Sequence, residues 1–262
     1  MHKCKVIAIA NQKGGVGKTT TAFNLGVGLV RNGFRVLLID LDPQGNLTIC
    51  CGYKAPDEYK TTISSIMMNV AGKVDFNITE GILNHVEGVD LIPANIKLMD
   101  IEQKLAQNPA KELILKKYLE RIKPKYDYII IDCMPGLGIA TVNALAAADS
   151  VIIPMQSQYF ALKGMGQLTR TIRNVQRELN PRLKIDGILL TLVARNTNLA
   201  HDTEKMARSV FGDKIRIFNS KIPLAVKFAE TNVVCRSIFS YKRRSRAAQE
   251  FADFTKEVID LG

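Results

Sequence analysis

The sequence predicts an α/β fold: one domain built on a mostly parallel, twisted sheet with helices on both faces. Three observations support this prediction. Strand-like apolar runs alternate with helical patterns along almost the whole chain. A glycine-rich loop joins the first strand to the first helix, and aspartates stand at the ends of two later strands. The 262 residues suffice for one wide sheet, so we expect a single domain over 1–262.

The first strand and the first helix flank a predicted phosphate-binding loop. The apolar run 5–10 predicts a buried strand, and residues 21–30 predict a helix. Between them, the sequence KGGVGKTT starts at Lys13. Glycines lack a Cβ, so their backbone N–H groups can converge on an oxyanion, and the helix N-terminus adds partial positive charge. Lys18 supplies a cation for the β- and γ-phosphates, and Thr19 supplies a hydroxyl for Mg²⁺.

This loop departs from the usual pattern G-x-x-x-x-G-K-[ST]. Gln12 occupies the place of the first glycine, and a second lysine, Lys13, follows it. A tight turn without a ligand is the alternative, but two lysines in a strand–helix context favour phosphate binding. A dinucleotide-binding loop is excluded because no third glycine follows Gly17. The predicted nucleotide-binding set in this loop is Gln12, Lys13, Gly14, Gly15, Val16, Gly17, Lys18, Thr19 and Thr20.

Two later strands lead into aspartates. The strand predicted at 35–39 is followed by Asp40 and Asp42, which we expect beside the phosphate loop because ligands bind at the carboxyl ends of parallel strands. Asp42 precedes a proline and could simply start a turn. A turn does not require Asp40, so we favour a functional pair. The run 126–131 ends at Asp132, as in a Walker B strand whose aspartate holds Mg²⁺, usually through water.

The remaining patterns continue the alternation of strands and helices. We predict strands at 88–93, 150–154, 184–193 and, at one edge of the sheet, 215–218. We predict helices at 63–68, 98–105, 112–119, 162–178 and 246–261, the last with an acidic outer face. The loop 133–138 lies where a γ-phosphate sensor would lie. Cys133 at its start is expected to be a buried thiol rather than a nucleophile.

Charge and cysteine content restrict the setting. The net charge is +11, with 17 Lys and Arg against 14 Asp and Glu in residues 1–132 and 19 against 11 in residues 133–262. Such a basic excess indicates a polyanionic partner, and the alternative is solubility together with triphosphate binding. Five scattered cysteines without a C-x-x-C pair favour reduced thiols and a cytoplasmic setting. No apolar run approaches the roughly 20 residues of a membrane span.

Taken together, these motifs resemble those of ParA/Soj-type partition ATPases, which belong to the deviant Walker A, MinD/ParA-like P-loop family. The resemblance covers nearly the whole chain. It rests on the segments Asn11–Thr20, Leu38–Asn46, Ile131–Cys133, Asn143–Leu145, Ala148–Ser150 and Gln158–Leu162.

The resemblance implies catalytic roles for three positions. Lys13 matches the signature lysine, which reaches across an ATP-sandwiched dimer to the phosphates bound by the other subunit. Lys18 matches the phosphate-binding lysine. Asp42 matches the aspartate that positions or activates the attacking water.

The resemblance also implies metal and adenine contacts. Thr19 matches the Mg²⁺-binding hydroxyl, and Asp40 and Asp132 would serve the metal through water. Ile222 and Pro223 match the segment that packs near the adenine. The implied cofactors are therefore ATP and Mg²⁺.

The activity implied by the resemblance is slow ATP hydrolysis coupled to segregation of plasmids or chromosomes. In such proteins ATP drives homodimer formation, the dimer binds DNA without sequence preference, and a ParB-like partner stimulates hydrolysis. We therefore expect a cytoplasmic, nucleoid-associated protein without stable membrane association. The chain starts at its first strand, so we expect no N-terminal DNA-binding extension.

Among the departures from its apparent relatives, two concern the switch loop and the DNA contact. Met134 and Gly136 replace a proline and a serine of the switch loop, which should loosen that loop. Asn196 stands where relatives carry a DNA-contacting arginine. The DNA-binding candidates are therefore Arg195, Arg216, Lys227, Arg236, Lys242, Arg243 and Arg244.

Three alternative functions stay open at this point. A MinD-like, membrane-associated positioning ATPase would need a basic amphipathic C-terminal helix, and the acidic tail 250–260 argues against one. A cluster-carrying relative such as nitrogenase iron protein would need thiolate pairs, and Cys133 alone is not enough. A slow scaffold could bind ATP and DNA and use hydrolysis only as a timer.

Overall fold

An eight-stranded sheet forms the centre of the molecule. A computed structural model describes residues 4–156, 161–194, 205, 208–209, 211–212, 215–225 and 227–262. The strands are β1 (Lys5–Ile9), β2 (Val36–Leu41), β3 (Leu83–Asn84), β4 (Asp90–Ile92), β5 (Tyr128–Cys133), β6 (Ser150–Gln156), β7 (Lys184–Val193) and β8 (Ile217–Pro223). The order across the sheet is β3-β4-β2-β5-β1-β6-β7-β8. All neighbouring pairs are parallel except the antiparallel pair β3–β4.

Helices cover both faces of this sheet. They are α1 (Lys18–Arg31), α2 (Asn46–Cys50), α3 (Ile63–Ala71), α4 (Ile101–Leu105), α5 (Ile114–Ile122), α6 (Ile139–Ala147), α7 (Ala161–Glu178), α8 (Lys227–Val234), α9 (Ile238–Tyr241) and α10 (Arg246–Ile259). One core lies between the sheet and α3–α7, and the other lies between the sheet and α1, α2 and α8–α10. The predicted α/β architecture is confirmed.

The central strand β1 contributes to both cores. Ile7 and Ile9 point toward α1 and α10, whereas Val6 and Ala8 point toward the opposite helical layer. This alternation follows from the two-residue period of a strand. Because both faces are covered, every residue of β2 and β5 is buried, which explains why their sequences are nearly continuous apolar runs.

Several predicted boundaries differ from the observed elements. The predicted edge strand at 215–218 is instead β8, which pairs with β7 as far as Pro223. The predicted helix at 98–105 begins as the 3-10 turn Ile96–Asp100 and only then continues as α4. Strand pairing decides the first difference, because β7 supplies hydrogen-bond partners beyond the apolar run.

The tail helix also differs from its prediction. Glu257 of α10 accepts hydrogen bonds from the backbone nitrogens of Asn219 (3.0 Å) and Ser220 (2.9 Å), and Glu250 accepts one from that of Lys221 (3.1 Å). These two carboxylates therefore face the sheet edge rather than solvent. They satisfy N–H groups that an edge strand would otherwise leave open to pairing with another chain.

None of the helices in the described part of the chain combines the length and apolar character that crossing a membrane requires.

We predict that Gly28 in α1 does not tolerate a side chain. A Cβ placed there would lie 2.3 Å from Thr255 Oγ1 and 3.2 Å from Thr255 Cβ, and Thr255 is fully buried in α10. Gly28→Ala should therefore lower the free energy of unfolding by about 1–3 kcal/mol. Thermal melting would show this as a Tm lower by about 2–4 °C per kcal/mol.

Gly166→Ala is the matched control for Gly28→Ala. Gly166 lies on the exposed side of α7, and no atom lies within 4 Å of its would-be Cβ. Alanine there should be neutral or stabilising by about 0.5–1 kcal/mol because glycine has the lower helix propensity. Equal melting temperatures for the two variants would contradict the proposed steric conflict at Gly28.

Candidate nucleotide-binding site

The predicted phosphate-binding loop lies at the middle of the sheet, at the carboxyl end of β1. Gly15 (φ +71°) and Gly17 (φ +82°) adopt left-handed backbone conformations that favour glycine. Gly17 immediately precedes α1, so the helix begins at Lys18. The open backbone of the loop and the start of α1 therefore meet, as anion binding requires.

Asn11 supports the start of this loop. Its Nδ2 donates to the carbonyl of Pro154 in β6 at 2.7 Å, and its Oδ1 accepts from the backbone nitrogen of Lys13 at 3.0 Å. Asn11 is buried, and its bond to Pro154 is shielded from water. They hold the first residues of the loop against the neighbouring strand.

Two polar side chains from β6 and β7 support the rest of the loop. Gln156 Nε2 donates to the carbonyl of Gly15 at 2.9 Å, and Thr191 Oγ1 donates to that of Val16 at 2.8 Å. Both bonds turn carbonyl oxygens toward the protein. The N–H groups on the other side of the same peptides are thereby directed away from these strands.

The two lysines of the loop have different environments. Lys18 is buried and its Nζ donates to the carbonyl of Lys13 at 3.0 Å. Burial lowers the pKa of Lys18, and the carboxylates of Asp132 and Asp42 oppose this shift. Lys13 is exposed, and its Nζ donates to Gln156 Oε1 at 3.3 Å.

Asp40 and Asp132 occupy directly paired positions of β2 and β5. Asp40 is fully buried; its Oδ2 accepts hydrogen bonds from the Thr48 backbone nitrogen (2.8 Å) and hydroxyl (2.7 Å), and its Oδ1 accepts one from the Asp42 nitrogen (3.2 Å). Burial raises the pKa of Asp40 to about 6, although these hydrogen bonds act in the opposite direction. Asp40 thus fixes the turn that carries Asp42 and the start of α2. Its predicted service to the metal stays a prediction.

Asp132 is in a different position. Both of its carboxylate oxygens are buried, and neither has a hydrogen-bond partner of normal geometry in the part of the chain that the structure describes. Burial and then Asp40 raise the pKa of Asp132 well above its usual value, although Thr19 and Lys18 act to lower it. A buried carboxylate without partners is costly unless a cation or proton compensates its charge.

These donors fit a magnesium ion. Mg²⁺ prefers oxygen ligands and keeps several waters, and Asp132 and Thr19 offer a carboxylate and a hydroxyl. Across the described ranges, no three His, Cys, Asp or Glu side chains cluster closely enough to hold a metal. A cation here would therefore complete its coordination with phosphate and water oxygens rather than with more side chains.

Asp42 lies at the opening of the site and is largely buried. Its Oδ1 accepts a hydrogen bond from the Gln44 backbone nitrogen at 2.9 Å, which is the turn considered as an alternative. Among the described residues, its Oδ2 makes no hydrogen bond. One oxygen therefore shapes the turn and leaves the other for a ligand or a water molecule.

The loop after β5 contacts the phosphate loop. Cys133 is buried, as predicted. The Met134 backbone nitrogen donates to the Leu41 carbonyl at 3.2 Å, and Gly136 has φ +122°, which a serine would rarely adopt. Pro135 Cγ lies 3.8 Å from where a Gly14 Cβ would be. Met134, the first of the two residues that we expect to loosen this loop, is thus hydrogen-bonded to β2 through its backbone.

Ile222 and Pro223, predicted near the adenine, lie at the carboxyl end of β8. The Ile222 side chain is buried in the core between the sheet and α1 and α10. It therefore has little surface for a ligand. Pro223 is half-buried and pairs with Val193, so it is the member of the pair that lies closer to solvent.

The predicted DNA-binding residues lie in different parts of the molecule. Arg195 and the side chain of Lys227 lie outside the described residues. Arg216 lies at the amino end of β8, away from the phosphate loop, and pairs with Glu257 at 3.5 Å.

The other candidates lie near the ends of α9. Arg236 precedes α9, and Lys242, Arg243 and Arg244 form an exposed turn between α9 and α10. Because the start of α10 contacts β8 at Lys221, near its carboxyl end, this turn lies toward the edge of the sheet that carries the site.

Sequence analysis missed the side chains that support the site. They are Asn11, Thr48, Gln156 and Thr191, of which only Asn11 appeared in a quoted motif. The available signal was the one applied to Asp40: polar residues at the carboxyl ends of buried parallel strands. Gln156 and Thr191 both satisfy it.

Comparisons with known proteins agree with this geometry. The AAA domain family matches residues 4–185. The chain is 44% identical over 258 residues to the sporulation initiation inhibitor protein Soj of Bacillus subtilis, covering 98% of this chain and 99% of Soj. It is 41% identical over 257 residues to the chromosome partitioning protein ParA of Caulobacter vibrioides, covering 97% and 94%.

A solved structure shares the fold over the same length. Cobyrinic acid a,c-diamide synthase from Mycobacterium smegmatis, with bound ADP and magnesium, superposes with a TM-score of 0.86 at 34% identity, covering 98% of this chain and 94% of that one. The relatives' names, the family match and the deviant loop with its two lysines agree. The chain therefore belongs to the ParA/Soj-type family of partition ATPases within the deviant Walker A class of P-loop proteins.

Proposed function

We propose that this protein hydrolyses ATP to drive DNA partition, and that its ATP-bound homodimer binds DNA without sequence preference. The observation that carries the proposal is the buried Asp132 carboxylate, which has no hydrogen bond of normal geometry from a described residue and which Thr19 and Lys18 influence, together with an exposed second lysine in the phosphate loop. The first three groups suit Mg·ATP, and the second lysine suits a second subunit. We further propose that residues 1–262 act as one domain.

The proposed reaction transfers the γ-phosphoryl group of ATP to water. The water oxygen forms a bond to the γ-phosphorus, the bond to the β-bridging oxygen breaks, and ADP and inorganic phosphate leave. One proton of the water stays on the phosphate and the other passes to solvent. Asp42 orients this water through Oδ2, because Oδ1 already accepts from Gln44. Lys18 neutralises charge on the β- and γ-phosphates, for which its ammonium must leave the Lys13 carbonyl.

Asp132 and Thr19 would hold magnesium, which when bound supplies charge neutralisation for the phosphates. Asp132 suits this role because neither of its oxygens has a hydrogen-bond partner of normal geometry among the described residues. Asp40 acts indirectly. Its three hydrogen bonds to Thr48 and Asp42 keep the catalytic turn in place.

Lys13 is proposed to complete the site of the other subunit. Lys18 already supplies the cation at the phosphate end of its own loop, and Lys13 is exposed. One of its contacts, from Nζ to the neutral amide of Gln156 at the surface, is long, at 3.3 Å. Such a contact is easily exchanged for a phosphate, which is the stronger acceptor.

The charge distribution supports DNA as the polyanion. At the amino edge of the sheet, cations are compensated by nearby carboxylates, as in the pairs Lys5–Asp186, Arg35–Asp127, Lys123–Asp149 and Arg216–Glu257. Lys242, Arg243 and Arg244 form no ion pair in the described part of the chain. Exposed, uncompensated cations are what backbone binding needs. A ParB-like activator and a nucleoid location complete the proposal.

We expect Asp132→Asn to stabilise the nucleotide-free protein at high pH. Because the pKa of Asp132 is raised in the folded state, the folded protein keeps a proton that the unfolded chain loses. Wild-type stability therefore falls as the pH rises from the pKa of the unfolded carboxyl toward that of the folded one. The advantage of the variant should grow by up to about 1.4 kcal/mol per pH unit there. Melting curves at pH 5 and pH 8 measure it.

The same variant should lose most of the extra stability that Mg·ATP gives to wild type. Asp253→Asn, on α10 and remote from the loop, is the control and should behave as wild type in both respects. A wild-type Mg·ATP response in Asp132→Asn would count against the assigned metal role.

We expect Asp42→Ala to keep ATP and to dimerise but to lose turnover, because nothing then orients the attacking water. Asp42→Asn keeps the shape of the side chain and should lose turnover as well. The loss should be about 10²-fold or more, as for other positioned catalytic groups. Phosphate release measures turnover, and normal hydrolysis by either variant would remove Asp42 from this role.

The test of the whole proposal is binding to non-specific duplex DNA with ATP, for wild type beside Lys13→Gln. Wild type should bind only with ATP, with a log–log salt slope of about −0.9 per phosphate contacted. Lys13→Gln should keep nucleotide and lose both the dimer in sedimentation and the DNA complex. A flat salt response, or an ATP-bound dimer of Lys13→Gln, would contradict the proposal.

A further inference from the structure

We propose that Asn24 positions the basic turn Lys242–Arg244 for DNA binding by joining it to the phosphate-binding helix. This inference rests on the proposed DNA-binding function. Among the described residues, the Asn24 side chain makes no hydrogen bond to any of the three cations. Its role follows from two hydrogen bonds made by one buried amide.

Asn24 lies in α1, one helical turn after the phosphate loop. Its Nδ2 donates to the carbonyl of Thr20 at 2.8 Å, and its Oδ1 accepts from the backbone nitrogen of Ile238 at 2.8 Å. Asn24 is 2% exposed and its bond to Ile238 is buried, so water does not take the place of that partner. One side chain therefore connects the nucleotide end of α1 to a residue more than 200 positions later in the chain.

Ile238 is the first residue of α9, where backbone N–H groups have no partner inside the helix. The preceding residue, Ser237, is held from the opposite side, because its nitrogen donates to Glu87 Oε1 at 2.9 Å and its hydroxyl donates to Glu87 Oε2. The Arg31 guanidinium of α1 lies 5.2 Å from the ring centre of Phe239. The start of α9 is thus fixed between α1 and the loop before β4.

The basic turn has little freedom of its own. The Lys242 nitrogen donates to the Ile238 carbonyl at 3.0 Å, and the Ser245 nitrogen donates to the Lys242 carbonyl at 2.8 Å. Ser245 then caps α10 by accepting from the Ala248 nitrogen at 3.2 Å. The cations consequently take their places from α9 and α10, and the start of α9 is held by Asn24 together with Glu87 and Arg31.

Ordered cations bind a phosphate backbone more tightly than mobile ones, because less conformational entropy is lost on binding. Removing the Asn24 amide leaves the buried N–H of Ile238 without its acceptor. We expect the start of α9 to shift or fray so that this N–H can reach water. The turn then loses its fixed position relative to the phosphate loop. The change should affect DNA binding far more than nucleotide binding.

The experiment compares wild type, Asn24→Ala and Asn32→Ala in ATP and DNA binding. Asn32, which is exposed, is the control for the intrahelical bond: its Nδ2 donates to the carbonyl four residues earlier, at Gly28, at 2.8 Å, as Asn24 does at Thr20. Among the described residues, Asn32 makes no hydrogen bond to α9. Asn24→Ala should bind ATP within about twofold of wild type and DNA at least tenfold more weakly.

The salt dependence distinguishes positioning from general weakening. If the turn no longer reaches the DNA backbone, the log–log salt slope of Asn24→Ala should be shallower by about 0.9 for each phosphate that its cations no longer neutralise, up to three phosphates. A merely destabilised protein would show a smaller active fraction with the wild-type slope. Asn32→Ala should match wild type in affinity and slope.

A second measurement needs no variant. Hydrogen exchange of wild-type residues 236–245 should slow at least severalfold on ATP binding, because Thr20 and Ile238 share the Asn24 amide. Unchanged exchange there would overturn the proposal, even if Asn24→Ala fails to fold. An Asn24→Ala variant with wild-type DNA affinity and slope would also overturn it. Failure of wild type itself to bind DNA with ATP would instead overturn the proposed function.

Discussion

The site depends on the register of β2 against β5, which places Asp40 and Asp132 opposite each other at the carboxyl edge of the sheet. Two carboxylates buried side by side repel each other and lose hydration, so each needs compensation. Asp40 obtains it from Thr48 and the Asp42 backbone, and Asp132 has no hydrogen bond of normal geometry from a described residue. The Asp132 carboxylate, directly beside the phosphate loop, therefore still requires a positive charge to compensate its own.

The difference between these two aspartates gives them separate functions. Asp40 is an internal strut whose hydrogen bonds hold the Asp42 turn and the start of α2. Asp132 is the group that a cation would satisfy. Such an arrangement lowers the stability of the empty protein and favours the ligated one, because anything that binds only the folded state stabilises it. Without nucleotide and metal, the buried Asp132 carboxylate that function requires therefore lowers the stability of the folded protein.

The sheet and α1 connect the nucleotide site to the rest of the molecule through hydrogen bonds and packing. Strands β6 and β7 hold the phosphate loop through Gln156 and Thr191, so the loop is supported by the half of the chain that carries most of the excess positive charge. On the other face, α1 packs so closely on α10 that Gly28 has no room for a methyl group. The nucleotide end of α1 and the C-terminal helices thus form one packed layer.

Much of this molecule follows from its sequence alone. The strand–loop–helix pattern, the glycines and Lys18 with Thr19 predict the phosphate loop, because local backbone freedom and residue chemistry determine it. The aspartates after apolar runs predict the carboxyl edge of the sheet. The deviant lysine, Lys13, predicts the family, and the matching relatives confirm it.

Only the tertiary structure determines which of these residues form hydrogen bonds and with which partners. Asp40 and Asp132 both follow apolar runs, and the hydrogen bonds that Thr48 and the Asp42 backbone donate to Asp40 separate their roles. The extent of β8 depends on its pairing with β7, and the position of Arg216 away from the site follows from that strand's direction. Contacts such as Asn24–Ile238 join residues far apart in the chain, so no local pattern could have indicated them.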